Sequence, residues 1–266
     1  MSDLRQKIIS KAGELDIPMI GFASAESWDN PPFEPWVPEE FRPKAIYPEA
    51  RTVIVIGLPI SLPIVESAPS IHYHELYNNV NLLLDEHAYR LSTFLSEKGH
   101  PSIYIPRDGY GSISILVDKP TAFFSHRHAA YLAGLGTFGL NNTLLTKEYG
   151  PRVRFASVFT AAEIEAGKPM TKQLCTRCMR CAKACPVKAI PGKEYPQGLI
   201  DKRACSERNE GLRSRYLSPC GICIKVCPIG EDRKLFGHTD VSMYDDSERY
   251  PEYHKAWRHV QSYGSR

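Results

Sequence analysis

The sequence predicts an α/β domain over residues 1–165, followed by a small α+β domain built around cysteines. Three observations predict it. Strand-like apolar runs and amphipathic helical segments interleave as far as Thr160. All eight cysteines lie between Cys175 and Cys227, with none in the first 174 residues. After about residue 235 the chain turns polar and aromatic, with Tyr244, Tyr250, Tyr253, Trp257 and Tyr263. Residues 166–240 are therefore read as the cysteine domain and 241–266 as a tail that packs back on the protein.

The elements follow in order. Leu4, Ile8, Ala12 and Leu15 recur at helical spacing over residues 3–15, Ser2 or Asp3 can cap that helix, and Pro18 bars its continuation. Met19–Ala23 reads as a short strand. Residues 25–50 hold six prolines and form a loop-rich connection. Thr52–Leu58 is a β-branched run without polar alternation, the pattern of a central strand covered on both faces. A helix over 73–98 carries Leu76, Val80, Leu83, Leu84, Ala88, Leu91 and Leu95 on one stripe and stops at Gly99 and Pro101. Ser102–Ile105 and Ile113–Val117 read as strands. A helix is expected from near Asp118 to Gly134, and a last strand over Val153–Thr160.

Length and a 42% hydrophobic content allow a sizeable core. No apolar run approaches the roughly 18 residues of a membrane span, and the polar start Met1–Gln6 lacks a signal core, so no membrane association and a cytoplasmic location are expected. A formal charge of +3 without long blocks of one sign does not mark a nucleic-acid binder.

The chemistry sits in the cysteines. Cys175-x2-Cys178-x2-Cys181-x3-Cys185-Pro186 is the bacterial-ferredoxin run. Three thiolates two residues apart curl around one cube, while the fourth, beside proline, points to a second. Cys220-x2-Cys223-x3-Cys227-Pro228 repeats the run without its leading cysteine, and Cys205 is left to supply it at looser spacing. The expected ligand sets are Cys175, Cys178, Cys181 and Cys227 for one [4Fe–4S] cluster, and Cys185, Cys205, Cys220 and Cys223 for the other. Zinc also uses paired Cys-x2-Cys, but not this doubled run with proline after the last cysteine. Lys172, Arg177, Arg180, Lys183 and Lys188 flank the first motif, either stabilising an anionic cube or simply solvated.

Gly134-Leu-Gly136-Thr-Phe-Gly139 matches a dinucleotide fingerprint in letters. The context fails, because it follows a helix instead of opening one, and Gly134 fits that helix's C-cap. Three glycines in six residues still demand a tight turn or a close approach of backbone and ligand.

The stretch Ser125–Arg154, with Gly134-Leu-Gly-Thr-Phe-Gly139-Leu140-Asn141, resembles the Gly-Leu-Gly-x-x-Gly-Lys-Asn segment of the epoxyqueuosine reductase family, related to the reductive dehalogenases. Its sequel also matches: the strand ending at Thr160, the ferredoxin run, the isolated Cys205, then Cys220 to Pro228. The resemblance implies a corrinoid (cobalamin) on the α/β domain, reduced by two [4Fe–4S] clusters that an external ferredoxin- or flavodoxin-type donor feeds, for reduction of a small-molecule substrate. It implies that the loop bearing Gly134, Gly136, Gly139, Asn141, Asn142 and Thr143 lies against that corrinoid, and that an aspartate upstream donates a proton. Asp118 lies near that place, about two residues too far from Gly134, and doubles as a helix cap. His126, with His128 on the same helix, is a second proton-donor candidate. Two departures stand out. Leu140 replaces the family's lysine, and the helical-repeat region that helps hold tRNA is absent, so tRNA is not expected as a partner. A different reading makes the protein an electron-transfer module whose α/β domain only docks a partner.

Overall fold

A computed structural model describes residues 3–264. Its helices are α1 (Asp3–Glu14), α2 (Pro43–Ile46), α3 (Leu62–Val65), α4 (Ile71–Glu97), α5 (Ile113–Asp118), α6 (His126–Leu132), α7 (Arg180–Ala184), α8 (Lys202–Arg213), α9 (Ile222–Lys225), α10 (Asp232–Leu235) and α11 (Pro251–Gln261). Its strands are β1 (Met19–Ser24), β2 (Thr52–Pro59), β3 (Ser102–Ile105), β4 (Thr137–Phe138), β5 (Leu144–Leu145) and β6 (Val153–Thr160).

The main sheet has the order β1-β2-β6-β3, antiparallel throughout. Residues 53–58 of β2 are all buried because both faces of the sheet are covered. Ile54, Ile56 and Leu58 meet α1 and α4 through Ile8, Leu84, Leu91 and Leu95. Val53 and Val55 face α6 and the proline-rich connection through Ala129, Ala130, Trp28 and Trp36. A continuous apolar run thus arises here from two-sided burial and not from parallel pairing.

Ser70 caps α4 by accepting from the Tyr73 amide, and Gly99 ends it at φ +82°. Leu83 departs from the expected stripe: it is 45% exposed, and the buried face is Val80, Leu84, Ala88, Leu91 and Leu95. Ile113–Val117, expected as a strand, is helix α5, because that segment lies against α8 instead of pairing with the sheet. Asp118 is the last residue of α5, not a helix start, and the next helix begins only at His126. Ser2, a proposed cap of α1, lies outside the described residues.

The two cysteine motifs fold alike. Met179 follows Cys178 at φ +62° and Gly221 follows Cys220 at φ +68°, each immediately before a short helix, and α7 packs on α9. At Gly221 a side chain is excluded twice, by the left-handed turn and by the Tyr73 ring 2.5 Å from where its Cβ would stand.

Arg152, just before β6, joins the sheet to the second motif. It is fully buried. Its Nε and Nη2 donate to the two oxygens of Asp232 at 2.6 and 2.7 Å. The guanidinium also donates to the carbonyls of Ile224 (3.2 Å), Cys227 (3.3 Å) and Ile229 (2.6 Å). A second buried arginine, Arg233, donates to the Cys227 carbonyl at 2.8 Å and to the Tyr244 hydroxyl at 2.9 Å. Tyr244 reaches buried Glu66 at 2.7 Å, and Gln261 of α11 donates to the Ser67 carbonyl at 2.9 Å.

Removing one partner of a buried, fully bonded ion pair strands the other, at a cost of about 3–5 kcal/mol. Arg152→Met is expected to lose that much in urea unfolding followed by far-UV circular dichroism. Arg152→Met/Asp232→Leu, which removes both charges, is expected to regain much of it.

The α6 histidines give a pH prediction. Burial pushes His126 down to about 4 and His128 down to about 3. In the unfolded chain both take up a proton near pH 6.5, so below that pH the unfolded state binds more protons and the fold weakens. Unfolding free energy is expected to fall between about pH 6.5 and pH 4 by up to about 1.4 kcal/mol per pH unit for each histidine. Denaturant titrations of His128→Gln over that range should show a correspondingly shallower slope.

Candidate metal centre and the cavity beside it

The thiols act on one another. Burial raises the Cys205 thiol to about 11, with Cys220 and Cys185 adding to the rise. Burial, then Cys205, Cys220, Cys181 and Cys185, pushes Cys223 higher still. Cys223 is thus near Cys205, Cys220 and Cys185, and Cys181 acts both on it and on Cys227. Burial also raises Cys181 to about 11, and Cys175 and Cys178 add to it. Cys227 rises to about 12, chiefly by burial, with Cys181 raising it further and Arg152 and Arg233 opposing.

Among the described residues no three His, Cys, Asp or Glu side chains converge as a single ion requires. Donors also point at the sulfurs: the Ala189 amide lies 3.3 Å from Cys185 Sγ and Asn209 Nδ2 lies 3.6 Å from Cys205 Sγ. Asn209 in turn accepts from the Cys220 amide at 2.8 Å. Soft sulfur ligands with amide donors behind them suit an iron–sulfur cluster.

The glycine loop is closed upon itself. Gly134 ends α6 at φ +76°, its amide donating to the Tyr131 carbonyl and that of Leu135 to Ala130. A Cβ at Gly134 would stand 2.4 Å from the Lys168 carbonyl oxygen, and one at Gly136 only 2.1 Å from that of Leu145. At Gly139 it would meet Asn141 Oδ1 at 2.8 Å. Asn142, at φ +55°, donates to the Gly198 carbonyl (2.9 Å) and accepts from the Ile200 amide (3.0 Å). Thr143 donates to Asn141 Oδ1 at 2.8 Å, and Asn141 Nδ2 is a buried donor without a partner. Protein atoms therefore occupy the space on the Cβ side of these glycines. The loop fits a joint: β4 and Asn142 hold residues 174 and 198–200 on either side of the first cysteine motif.

The two proton-donor candidates lie apart from each other. His126 is buried with both ring nitrogens engaged, by Ser157 Oγ and the Pro106 carbonyl, each at 2.9 Å. Its partners lock it into the core, so it has no proton to offer a substrate. His128 is likewise held, between Ser125 Oγ (2.7 Å) and the Tyr195 hydroxyl (2.8 Å). Asp118 is exposed at the end of α5.

Next to Asp118 lies a cavity of about 420 Å³, walled by Phe41, Asp108, Tyr110, Ile115, Lys119 and Phe123 among others. Lys119 lines it and Asp118 does not. Behind the wall is a polar cluster. Asp108 accepts from Arg154 Nη2 at 2.9 Å and from Asn81 Nδ2 at 3.3 Å. The Arg154 guanidinium lies 4.1 Å from the centre of the Tyr77 ring. Burial opposes the Arg154 charge, but Tyr77, Asp108 and Tyr110 outweigh it and hold the guanidinium firmly protonated. Burial above all, aided by Tyr77 and Asp108, keeps the Tyr110 phenol protonated far above its ordinary range, and Tyr110 hydrogen-bonds Asp108. Arg154 Nε and Asn81 Oδ1 are buried without partners.

This cluster adjoins the thiols. Tyr73, one turn before Tyr77 on α4, packs against Gly221 between Cys220 and Cys223. Helix α5 lies on α8, which carries Cys205, and Arg213 of α8 donates to Ser112 Oγ at 2.7 Å. The composition of residues 104–110 hints at polarity, but no motif marks Arg154 or Tyr77, whose importance comes from contacts distant in sequence.

The comparisons agree with this geometry. Residues 171–190 match the 4Fe-4S binding domain model. A tetrachloroethene reductive dehalogenase of Desulfitobacterium hafniense is 28% identical over 232 residues, 80% of this chain and 38% of that protein. The epoxyqueuosine reductase of Listeria monocytogenes is 26% identical over 295 residues, 94% of this chain and 69% of its own. An epoxyqueuosine reductase solved with a tRNA stem loop shares the fold with a TM-score of 0.57 and 22% identity, over 85% of this chain and 64% of that one. A reductive dehalogenase structure described as suggesting a mechanism for B12-dependent dehalogenation gives a TM-score of 0.60 and 19% identity, over 96% of this chain and 35% of that one. The chain thus spans 38% of the dehalogenases it matches. Epoxyqueuosine reductases and reductive dehalogenases are thus its homologues, and its 4Fe-4S motif fits an iron–sulfur oxidoreductase of their kind.

Proposed function

We propose that the chain is a two-cluster iron–sulfur reductase acting on a small molecule held in the Asp108–Tyr110 cavity. Cys175, Cys178, Cys181 and Cys227 would hold one [4Fe–4S] cluster, and Cys185, Cys205, Cys220 and Cys223 a second. The pair would supply one-electron transfer from an external ferredoxin- or flavodoxin-type donor. The observation that carries this reading is continuity: the Cys220–Cys223 turn touches Tyr73, and Tyr73, Tyr77, Tyr110 and Asp108 follow one another to the cavity wall. A module that only relays electrons has no need of a cavity backed by buried charges.

In this scheme the residues have separate tasks. Arg154 pairs with Asp108, and Asp108 orients the Tyr110 hydroxyl by accepting its hydrogen bond. Tyr110 and Lys119 are the polar groups at the cavity wall. Phe41 and Phe123 give the pocket apolar walls.

The homologues bring two further candidates. One is a corrinoid, because a neighbouring dehalogenase is described as B12-dependent. No step is routed through it. The other is tRNA, because a neighbouring epoxyqueuosine reductase was solved with a tRNA stem loop. The expectation that tRNA is no partner therefore loses its support, and tRNA stands as a candidate ligand.

Anaerobic reconstitution tests the reading. The protein is expected to take up about eight iron atoms per chain and to bleach on reduction. Tyr110→Phe and Asp108→Asn should keep the iron and lose turnover with any substrate the wild type reduces. A full-length folded protein holding four iron atoms or fewer contradicts it. Cobalt that co-elutes with the reconstituted protein after incubation with cobalamin would place a corrinoid in the path.

A further inference from the structure

The cysteines are not equally sheltered. Cys178 is exposed, while the other seven are partly covered. Cys205 lies on α8, and Tyr73 packs against Gly221 between Cys220 and Cys223. Solvent reaches the first motif at Cys178.

The chain around Cys178 is charged in one direction. From Ala166 to Lys193 there are 28 residues with seven cations (Lys168, Lys172, Arg177, Arg180, Lys183, Lys188 and Lys193) and no carboxylate. Arg177 is paired with Glu194, and Arg180 with Asp245. The five lysines are exposed, and among the described residues none of them has an ion pair. The loop after the motif returns to the same place. A Cβ at Gly192 would stand 2.3 Å from Met179 Cε, and Glu194 reaches Arg177, so Lys193 lies beside the Cys178 turn. Two apolar side chains, Val187 (37% exposed) and Leu199 (45%), also open to solvent in this region.

We propose that this face is the docking surface for an acidic electron-donor protein of the flavodoxin or ferredoxin class, and that electrons enter at the Cys178 side. The inference rests on the two-cluster reading above and adds where the donor binds and why. A cationic surface with a small apolar centre steers an acidic partner and speeds encounter, because attraction acts before contact. Placing it at the exposed cysteine brings the donor's redox centre nearest to the first cluster. On contact the donor is oxidised by one electron and the cluster reduced by one, so no further reactant is needed. Nucleic acid is the rival occupant of any basic face. Residues 166–193 contain no Phe, Tyr or Trp on which bases could stack.

The test uses full-length, anaerobically reconstituted protein and a reduced acidic flavodoxin as probe, with cluster bleaching followed by stopped flow. The second-order rate constant is expected to fall at least about tenfold between low and high salt. The variant Lys172→Glu/Lys188→Glu/Lys193→Glu should be slower by about tenfold at low salt and lose most of the salt dependence. Reversing three exposed lysines elsewhere, Lys7→Glu/Lys44→Glu/Lys98→Glu, should change the rate less than about twofold. The final extent of bleaching by excess dithionite should be the same in all three proteins. An unchanged flavodoxin rate in the first variant, with bleaching by dithionite intact, overturns the docking surface. So does loss of bulk tRNA binding in that variant while its flavodoxin rate stays at the wild-type value. If dithionite bleaches none of the proteins, the cluster reading itself fails, and the docking proposal with it.

Discussion

The arrangement of this protein depends on one buried guanidinium. Arg152 leaves the end of the sheet, pairs with both oxygens of Asp232, and holds three carbonyls of the second cysteine motif, that of Cys227 among them. A charge wholly removed from water persists only when each of its donors finds an acceptor. The residues between 224 and 232 must therefore keep their positions relative to β6. Arg233 repeats the device from the other side and shares the Cys227 carbonyl. Two fixed positive charges thus lie beside a thiol that burial alone would keep protonated, which favours the thiolate a metal cluster requires.

The same anchoring fixes what lies on the opposite side. Once the second motif is held, Gly221 meets Tyr73 at the start of α4, and α4 carries Tyr77 and Asn81 into the cluster around Arg154 and Asp108. The cysteines and the cavity are consequently parts of one packed unit. The glycine segment contributes from the third side. Its closely packed backbone lets β4, β5 and Asn142 fasten the chain before Cys175 and after Gly198. Its letters suggest ligand binding, yet its geometry is that of a hinge pin between two parts of the chain.

How much of this was legible in the sequence depended on how local the cause was. The β2 and β6 runs and the α4 stripe are set by burial periodicity, and they appear as read, apart from Leu83. The cysteine spacing shows in the sequence because short loops determine what neighbouring thiols can reach. The structure departs from the sequence expectation over residues 113–125. Ile113–Val117 has strand composition, but contact with α8 makes it a helix, which moves Asp118 to a helix end and out of the cavity wall. His126 looked available until Ser157 and the Pro106 carbonyl were seen on its two nitrogens. Arg152 and Asp232 are 80 positions apart, and Arg154 and Asp108 are 46. No pattern along the chain announces such pairs.

The central claim is that the thiols form two four-membered sets, with Cys185 and Cys227 each reaching across to the other motif's cluster. Electron paramagnetic resonance of the reduced, reconstituted protein tests it most directly, comparing wild type with Cys205→Ala. The account predicts a broadened spectrum of two interacting clusters in the wild type. In the variant it predicts a simple single-cluster spectrum and about four iron atoms per chain. A variant that keeps its full iron and the interacting spectrum would contradict it.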